Sequence, residues 1–172
     1  MSERLAWILI RTAVFTVVVP GTVVVLLPWL VLPREPELPW LDTRWGQAIG
    51  FALFLTGAGI YLKCAWDFAV RGRGTPAPID PPKRLVADGL YRWSRNPIYV
   101  GAVTAILGGA VAAASLPHVI YAAIVAGAFH LFVVFVEEPA LRKQFSEEYG
   151  AYCRRVPRWL PAPWHRPPPS EP

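Results

Sequence analysis

Three clusters of charged, polar and aromatic residues interrupt an otherwise apolar chain. The first is Gly89-Leu90-Tyr91-Arg92-Trp93-Ser94-Arg95-Asn96-Pro97-Ile98-Tyr99-Val100-Gly101, the second is Glu137-Glu138, and the third runs from Tyr149 through Tyr152 and Arg158 to Trp159. Arginines offer charge-assisted donors to a carboxylate, and glutamates accept from hydroxyls or an ammonium. Aromatic faces suit a planar base or a cation. S-adenosylmethionine displays this combination of features: an α-carboxylate, an α-amine, a ribose diol, an adenine and a sulfonium. A nicotinamide dinucleotide shares the adenine and ribose but demands more cations for its phosphates. A mere connector between two apolar runs needs no such assortment.

The elements that position these clusters are membrane helices. The chain has 172 residues, enough for one domain, read here as residues 1–161 followed by a proline-rich tail at 162–172. It is 54% hydrophobic and only 17% charged, with a mean hydropathy of +0.36, too apolar for an ordinary soluble domain. Runs of roughly 20 apolar residues match a hydrocarbon core of about 30 Å. A net charge of +5 would also suit nucleic acid, but the cations flank the apolar runs, where anionic lipid headgroups explain them better. The expected partners are therefore the lipid bilayer and no nucleic acid. Cys64 and Cys153 have neither metal-ligand nor disulfide spacing and read as small apolar fillers.

The expected fold is all-α: four transmembrane helices at about 5–32, 46–68, 97–115 and 118–136, then a cytoplasmic amphipathic helix at about 138–153. The first run is too long for a signal-peptide core, and Pro20 predicts a bend within it. Arg11 can snorkel to the interface, while Trp29, Trp40 and Trp45 anchor the span ends. Lys63 and Asp67 stand at i,i+4 and share a helix face. The loop at 70–96 carries six cations against two acids, which places it and both termini in the cytoplasm. Its first half is irregular, from Gly72 and Gly74 through the prolines between Pro76 and Pro82. Pro97 starts the third span, and the tight Leu116-Pro117-His118 turn makes the last two spans antiparallel neighbours. Leu141, Phe145 and Tyr149 fall on one face of the C-terminal helix.

At the polar clusters the chain resembles the membrane-bound methyltransferases of the isoprenylcysteine carboxyl methyltransferase and phospholipid N-methyltransferase superfamily. Arg95-Asn96-Pro97-Ile98-Tyr99-Val100-Gly101 is similar to its Arg-His/Asn-Pro-x-Tyr-x-Gly motif, and Glu137-Glu138 to its double-acid motif. Phe145-Ser146-Glu147-Glu148-Tyr149-Gly150-Ala151-Tyr152, followed by Val156-Pro157-Arg158-Trp159-Leu160-Pro161, is similar to its C-terminal signature. Gly57-Ala58-Gly59 resembles the Gly-x-Gly of the phospholipid branch. The likeness covers about 57–161, and the first span carries no signature.

The resemblance implies an S-adenosylmethionine site at the cytoplasmic face and methyl transfer to a lipophilic acceptor embedded in the membrane: a prenylcysteine-like carboxylate, a thiol or a lipid amine. It implies cofactor contacts from Tyr91, Arg95, Asn96, Pro97, Tyr99, Gly101, Glu137, Glu138, Gly57 and Gly59. Asn96 and Arg158 take catalytic roles, and Tyr149, Tyr152 and Trp159 take substrate contacts. Where many relatives carry His, this chain has Asn96, which cannot titrate near neutral pH.

Structural readings stand beside these. Gly57 and Gly59 suit close helix packing, Arg84 and Arg92 suit headgroups, and Tyr149 and Tyr152 suit interfacial anchoring. Glu137-Glu138 would be capped by arginines, and a buried His130 would bond a neighbouring helix. A reductase of the related sterol-reductase fold, binding NADPH, is the competing enzyme class, although the chain is short for its set of spans. A non-catalytic protein of the same fold is the other alternative. The Ala-, Val-, Arg- and Pro-rich composition points to a bacterial cytoplasmic membrane.

Overall fold

The computed structural model describes residues 3–32, 37–72, 75 and 83–160, and every regular element among them is helical. The prolines between Pro76 and Pro82, Pro161 and the 162–172 tail lie outside the described residues. Helix α1 (Glu3–Gly21) passes through a π-helical turn (Thr22–Leu26) into α2 (Leu27–Val31). Helix α3 (Arg44–Val70) follows, then a 3₁₀ turn (Gly89–Arg92) and α4 (Pro97–Ala112). Helix α5 (Leu116–Phe132) runs through a second π turn (Val133–Glu137) into α6 (Glu138–Arg155).

Among the described residues, three stretches are long and apolar enough to cross a membrane: Leu5–Val31, Arg44–Val70 and Leu116–Arg155. Helix α4 is shorter, 16 residues, and at 1.5 Å per residue it reaches roughly 24 Å. It begins where the sequence places the third span and ends three residues early, because Ala113 and Ala114 leave the helix at a turn.

Both π turns stand just ahead of a proline, Pro28 and Pro139. A proline ring crowds the carbonyl four residues back and supplies no N–H. Widening one turn to i→i+5 bonding accommodates the ring without ending the helix. Leu27 accordingly bonds the Thr22 carbonyl, and Glu138 bonds that of Val133. The extra residue in each π turn also rotates everything downstream by about 100° relative to an uninterrupted helix.

Helices α3 and α4 meet through paired glycines. A Cβ on Gly57 would overlap the Gly101 carbonyl and the Ala105 nitrogen, and one on Gly108 would overlap the Gly50 carbonyl and Phe54. The two pairs recur at the same interval on each antiparallel helix, so the backbones touch along a seam that any side chain would open. At its C-terminal end α3 carries an ionic staple. The buried Asp67 accepts from Lys63 and pairs with Arg71 at 3.6 Å, and Arg71 reaches Asp88 at 3.6 Å. That staple fixes the entrance to the Gly89–Arg92 turn, where Gly89 takes a left-handed φ of 61°.

Helix α6 is broken at Ser146, whose φ of 42° is not helical. Beyond the break, Tyr149, Tyr152 and Val156 form a buried cluster with Leu85 and Ala87 of the loop, joined by Leu141 and Phe145. The expected apolar face therefore exists and packs the C-terminal helix against the polar loop.

Candidate functional site

The residues from Ser94 to Asn96 are tied to the C-terminal segment by backbone and side chain together. The Arg95 amide donates to the Pro157 carbonyl at 2.9 Å, and the Asn96 amide donates to Ser94 Oγ at 3.1 Å. Asn96 is the residue before α4, yet its side chain does not cap that helix. Instead Asn96 Nδ2 donates to the Arg158 carbonyl at 3.0 Å, and Ser94 Oγ donates to the same oxygen at 3.3 Å. Tyr152 adds a fourth tie, its hydroxyl donating to the Tyr91 carbonyl at 2.7 Å.

This arrangement brings two arginines to one carboxylate. Arg95 Nη1 donates to Glu138 Oε1 at 3.0 Å, while Arg158 donates through Nε to Oε1 at 2.7 Å and through Nη2 to Oε2 at 3.1 Å. The side chains of Arg95 and Glu138 are only 11% and 7% exposed, so the pair lies largely out of water. The bond to Glu138, first among the causes, holds the Arg158 guanidinium above its ordinary range. Arg95 Nη1 also lies 2.8 Å from the Cys153 sulfur. Cys153 thus sits against a guanidinium, whereas Cys64 is the fully buried filler that the sequence predicts.

The adjacent acid does something else. Glu137 faces α4, where it shares a hydrogen bond with the Tyr99 hydroxyl. Consecutive helical residues point about 100° apart, and the π turn ending at Glu137 sets which direction each takes. One acid is clasped by arginines, and the other faces a cavity.

That cavity has a volume of about 330 Å³, near the lower end of ordinary ligand sites, which run from about 300 to 1,000 Å³. Its polar end is formed by Tyr91, Arg95, Asn96, Tyr99, Glu137 and the tyrosines Tyr149 and Tyr152. Arg95 Nε at that end is buried with no hydrogen-bond partner among the described residues, and the Tyr91 hydroxyl lies against the Cys64 thiol. Burial, more than the neighbouring Cys64 thiol, keeps the Tyr91 hydroxyl protonated well above its ordinary range. A buried donor such as Arg95 Nε is costly without a partner. A ligand with a carboxylate or hydroxyls would supply one.

Not every residue singled out in the sequence lines this space. Gly57 and Gly101 lie in the α3–α4 seam, Gly59 is exposed with open space where a Cβ would stand, and Pro97 is the buried first residue of α4. Glu138 and Arg158 act on the cavity through Arg95. Trp159 donates from Nε1 to His130 Nδ1 at 3.1 Å, outside the cavity. His130 is exposed, and its partner is the C-terminal segment, not a neighbouring helix of the bundle. The other end of the cavity was invisible in the sequence: Phe15, Val19 and Val23 of the first helical stretch, with Phe129 and Phe132 of α5. Only apolar periodicity could have flagged them, and an all-apolar span has none.

The fold and the site define a helical membrane protein whose apolar cavity ends in an arginine, a carboxylate and tyrosines. A family model for phospholipid methyltransferase matches residues 45–148, more than half of the chain. The chain belongs to the phospholipid methyltransferase family, a class of membrane methyltransferases. A search of curated proteins finds no match to it.

Proposed function

We propose that this protein transfers a methyl group from S-adenosylmethionine to a lipophilic acceptor held in the bilayer. The observation that carries the proposal is the two-ended cavity, polar at Arg95, Asn96, Tyr99 and Glu137 and apolar at Phe15, Val19 and Phe129. The polar end fits the donor because the unpartnered Arg95 Nε matches a carboxylate, while the Glu137 carboxylate and Asn96 Oδ1 match hydroxyls or an amine. Arg95 would hold the carboxylate. Glu137, braced by Tyr99, would take the amine or the ribose diol. Asn96 has Nδ2 engaged with the Arg158 carbonyl, which leaves its Oδ1 for the ligand. Tyr149 and Tyr152 would wall the pocket with aromatic faces.

When bound, the sulfonium donor supplies an already activated methyl group. What remains for the protein is positioning of the acceptor and exclusion of water. Glu138 and Arg158 serve this as positioning residues, since they hold the Arg95 side chain and bind the C-terminal segment across the motif. The topology we propose has α4 as a fourth span and both termini cytoplasmic, with the polar end of the cavity at the inner surface of a bacterial membrane. The cations at Arg71, Lys83, Arg84, Arg92 and Arg95 favour this orientation.

Calorimetric titration of the purified protein in detergent tests the reading. S-adenosylmethionine is expected to bind, with Arg95→Ala and Glu137→Gln each weakening it by on the order of tenfold or more, the factor that about 1.4 kcal/mol makes. Unchanged affinity in both variants would show that the polar end is not the donor site.

A further inference from the structure

The apolar end of the cavity is built in part by an element that the family match leaves out. Residues 45–148 carry the match, whereas Phe15, Val19, Pro20, Val23 and Val24 belong to the helical stretch before it. Polar contacts tie that stretch to α3 and α5. Thr16 Oγ1 lies 3.2 Å from the Tyr61 hydroxyl, and the Tyr121 hydroxyl donates to the Val23 carbonyl at 2.7 Å. The second contact follows from the π turn, because Pro28 has no N–H to return to the turn Thr22–Leu26. Tyr121 satisfies a carbonyl there, and so docks the first helical stretch against α5.

The cavity also reaches the lipid-facing surface. Val19 and Val136 both line it, yet they are 45% and 51% exposed. They mark a lateral mouth between the first helical stretch and the junction of α5 with α6. Tyr99 and Glu137 line the same cavity.

We propose that the first helical stretch is the acceptor-specificity element, and that its face at Phe15, Val19 and Val23 holds a single hydrocarbon chain of a membrane-resident amphiphile. The chain lies along that face and its head group reaches Tyr99 and Glu137. In membrane solvent a bulk apolar surface gains little from helix association, so an apolar hollow beside lipid is filled by a lipid chain in preference to water. The length of hydrocarbon between the mouth and the polar end then selects the acceptor. The head-group part of this proposal rests on the methyl-transfer reading, but the chain part does not.

Photolabelling separates the two. The full-length protein in nanodiscs is irradiated with a fatty acid carrying a terminal diazirine, without methyl donor, and labelled residues are mapped by mass spectrometry. Labels are expected to concentrate at 15–24 and at Phe129 and Phe132. Unlabelled lysophospholipids of graded chain length should compete with a sharp length optimum. Val19→Trp, which narrows the mouth at a partly exposed position, should cut this labelling roughly tenfold and move the optimum to shorter chains. Phe15→Ala should move it to longer chains, and it decides the matter if the tryptophan variant does not fold. Labels spread evenly over lipid-facing surfaces, or a length optimum unmoved in whichever variants fold, would overturn the proposal. Chain binding without any donor binding would instead overturn the methyl-transfer reading and leave this one standing.

Discussion

Neutralising Glu138 tests the central clasp. Glu138→Gln keeps the shape of the side chain but removes the carboxylate charge and one of its two acceptor oxygens. The three hydrogen bonds from Arg95 and Arg158 therefore cannot all survive, and those that do lose their ionic acceptor. Loss of the ionic acceptor at about 1 kcal/mol for each of three bonds would give about 3 kcal/mol. Arg158 is 35% exposed, so water recovers part of its share. The Arg95 side chain, at 11%, recovers little. A net loss of about 2 kcal/mol follows, below the 3–5 kcal/mol for deleting one partner of a fully buried pair. The assay is reversible unfolding in mixed micelles, run as a double-mutant cycle with Arg158→Gln. A coupling of about 1.5 kcal/mol is expected, and one under about 0.5 kcal/mol, the scatter of independent sites, would refute the clasp. Donor affinity separates positioning from contact. If Arg158→Gln leaves it intact while Glu138→Gln abolishes it, Glu138 touches the ligand directly and the division of roles between the two acids is wrong.

Other consequences are open to direct measurement. Tyr152→Phe removes the donor to the buried Tyr91 carbonyl and should cost about 1–3 kcal/mol in the same unfolding assay, with donor binding weakened because the Tyr91 wall loosens. Gly57→Leu should separate α3 from α4 and abolish the folded, monodisperse protein in size-exclusion chromatography, whereas Gly59→Leu, at an open position, should not. Gly89→Ala forces a left-handed φ on a residue with a Cβ and should cost about 1–2 kcal/mol in the unfolding assay. Asn96→Asp replaces the Nδ2 donor to the Arg158 carbonyl by an acceptor, so hydrogen exchange at Arg158 and Trp159 should accelerate, while exchange in α3 stays unchanged.

Much of this was legible in the residues, for identifiable reasons. Long apolar runs declare membrane helices because length and composition suffice, and Pro97 and the amphipathic face at Leu141, Phe145 and Tyr149 behave as their spacing predicts. Convergence of the Arg95 motif, the paired glutamates and the C-terminal segment also follows from shared helix ends. What the chain conceals is register. Glu137 and Glu138 are equivalent in sequence, and only the π turn before Pro139 decides which meets the arginines and which meets Tyr99. Pro139 itself reads as a helix end, yet Leu116–Arg155 continues past it because the widened turn makes room. Asn96 reads as a turn residue, while its bond runs to a carbonyl more than sixty positions away. The apolar wall of the cavity leaves no trace at all, since valines facing a ligand and valines facing lipid look alike.

The claim on which the rest depends is that the polar end of the cavity holds the methyl donor. It is tested most directly by titrating the detergent-purified protein with S-adenosylmethionine and, in parallel, with NADPH. Saturable binding of the sulfonium donor alone, lost in Arg95→Ala, is the predicted result. No heat up to millimolar donor, or preference for the dinucleotide, would contradict it.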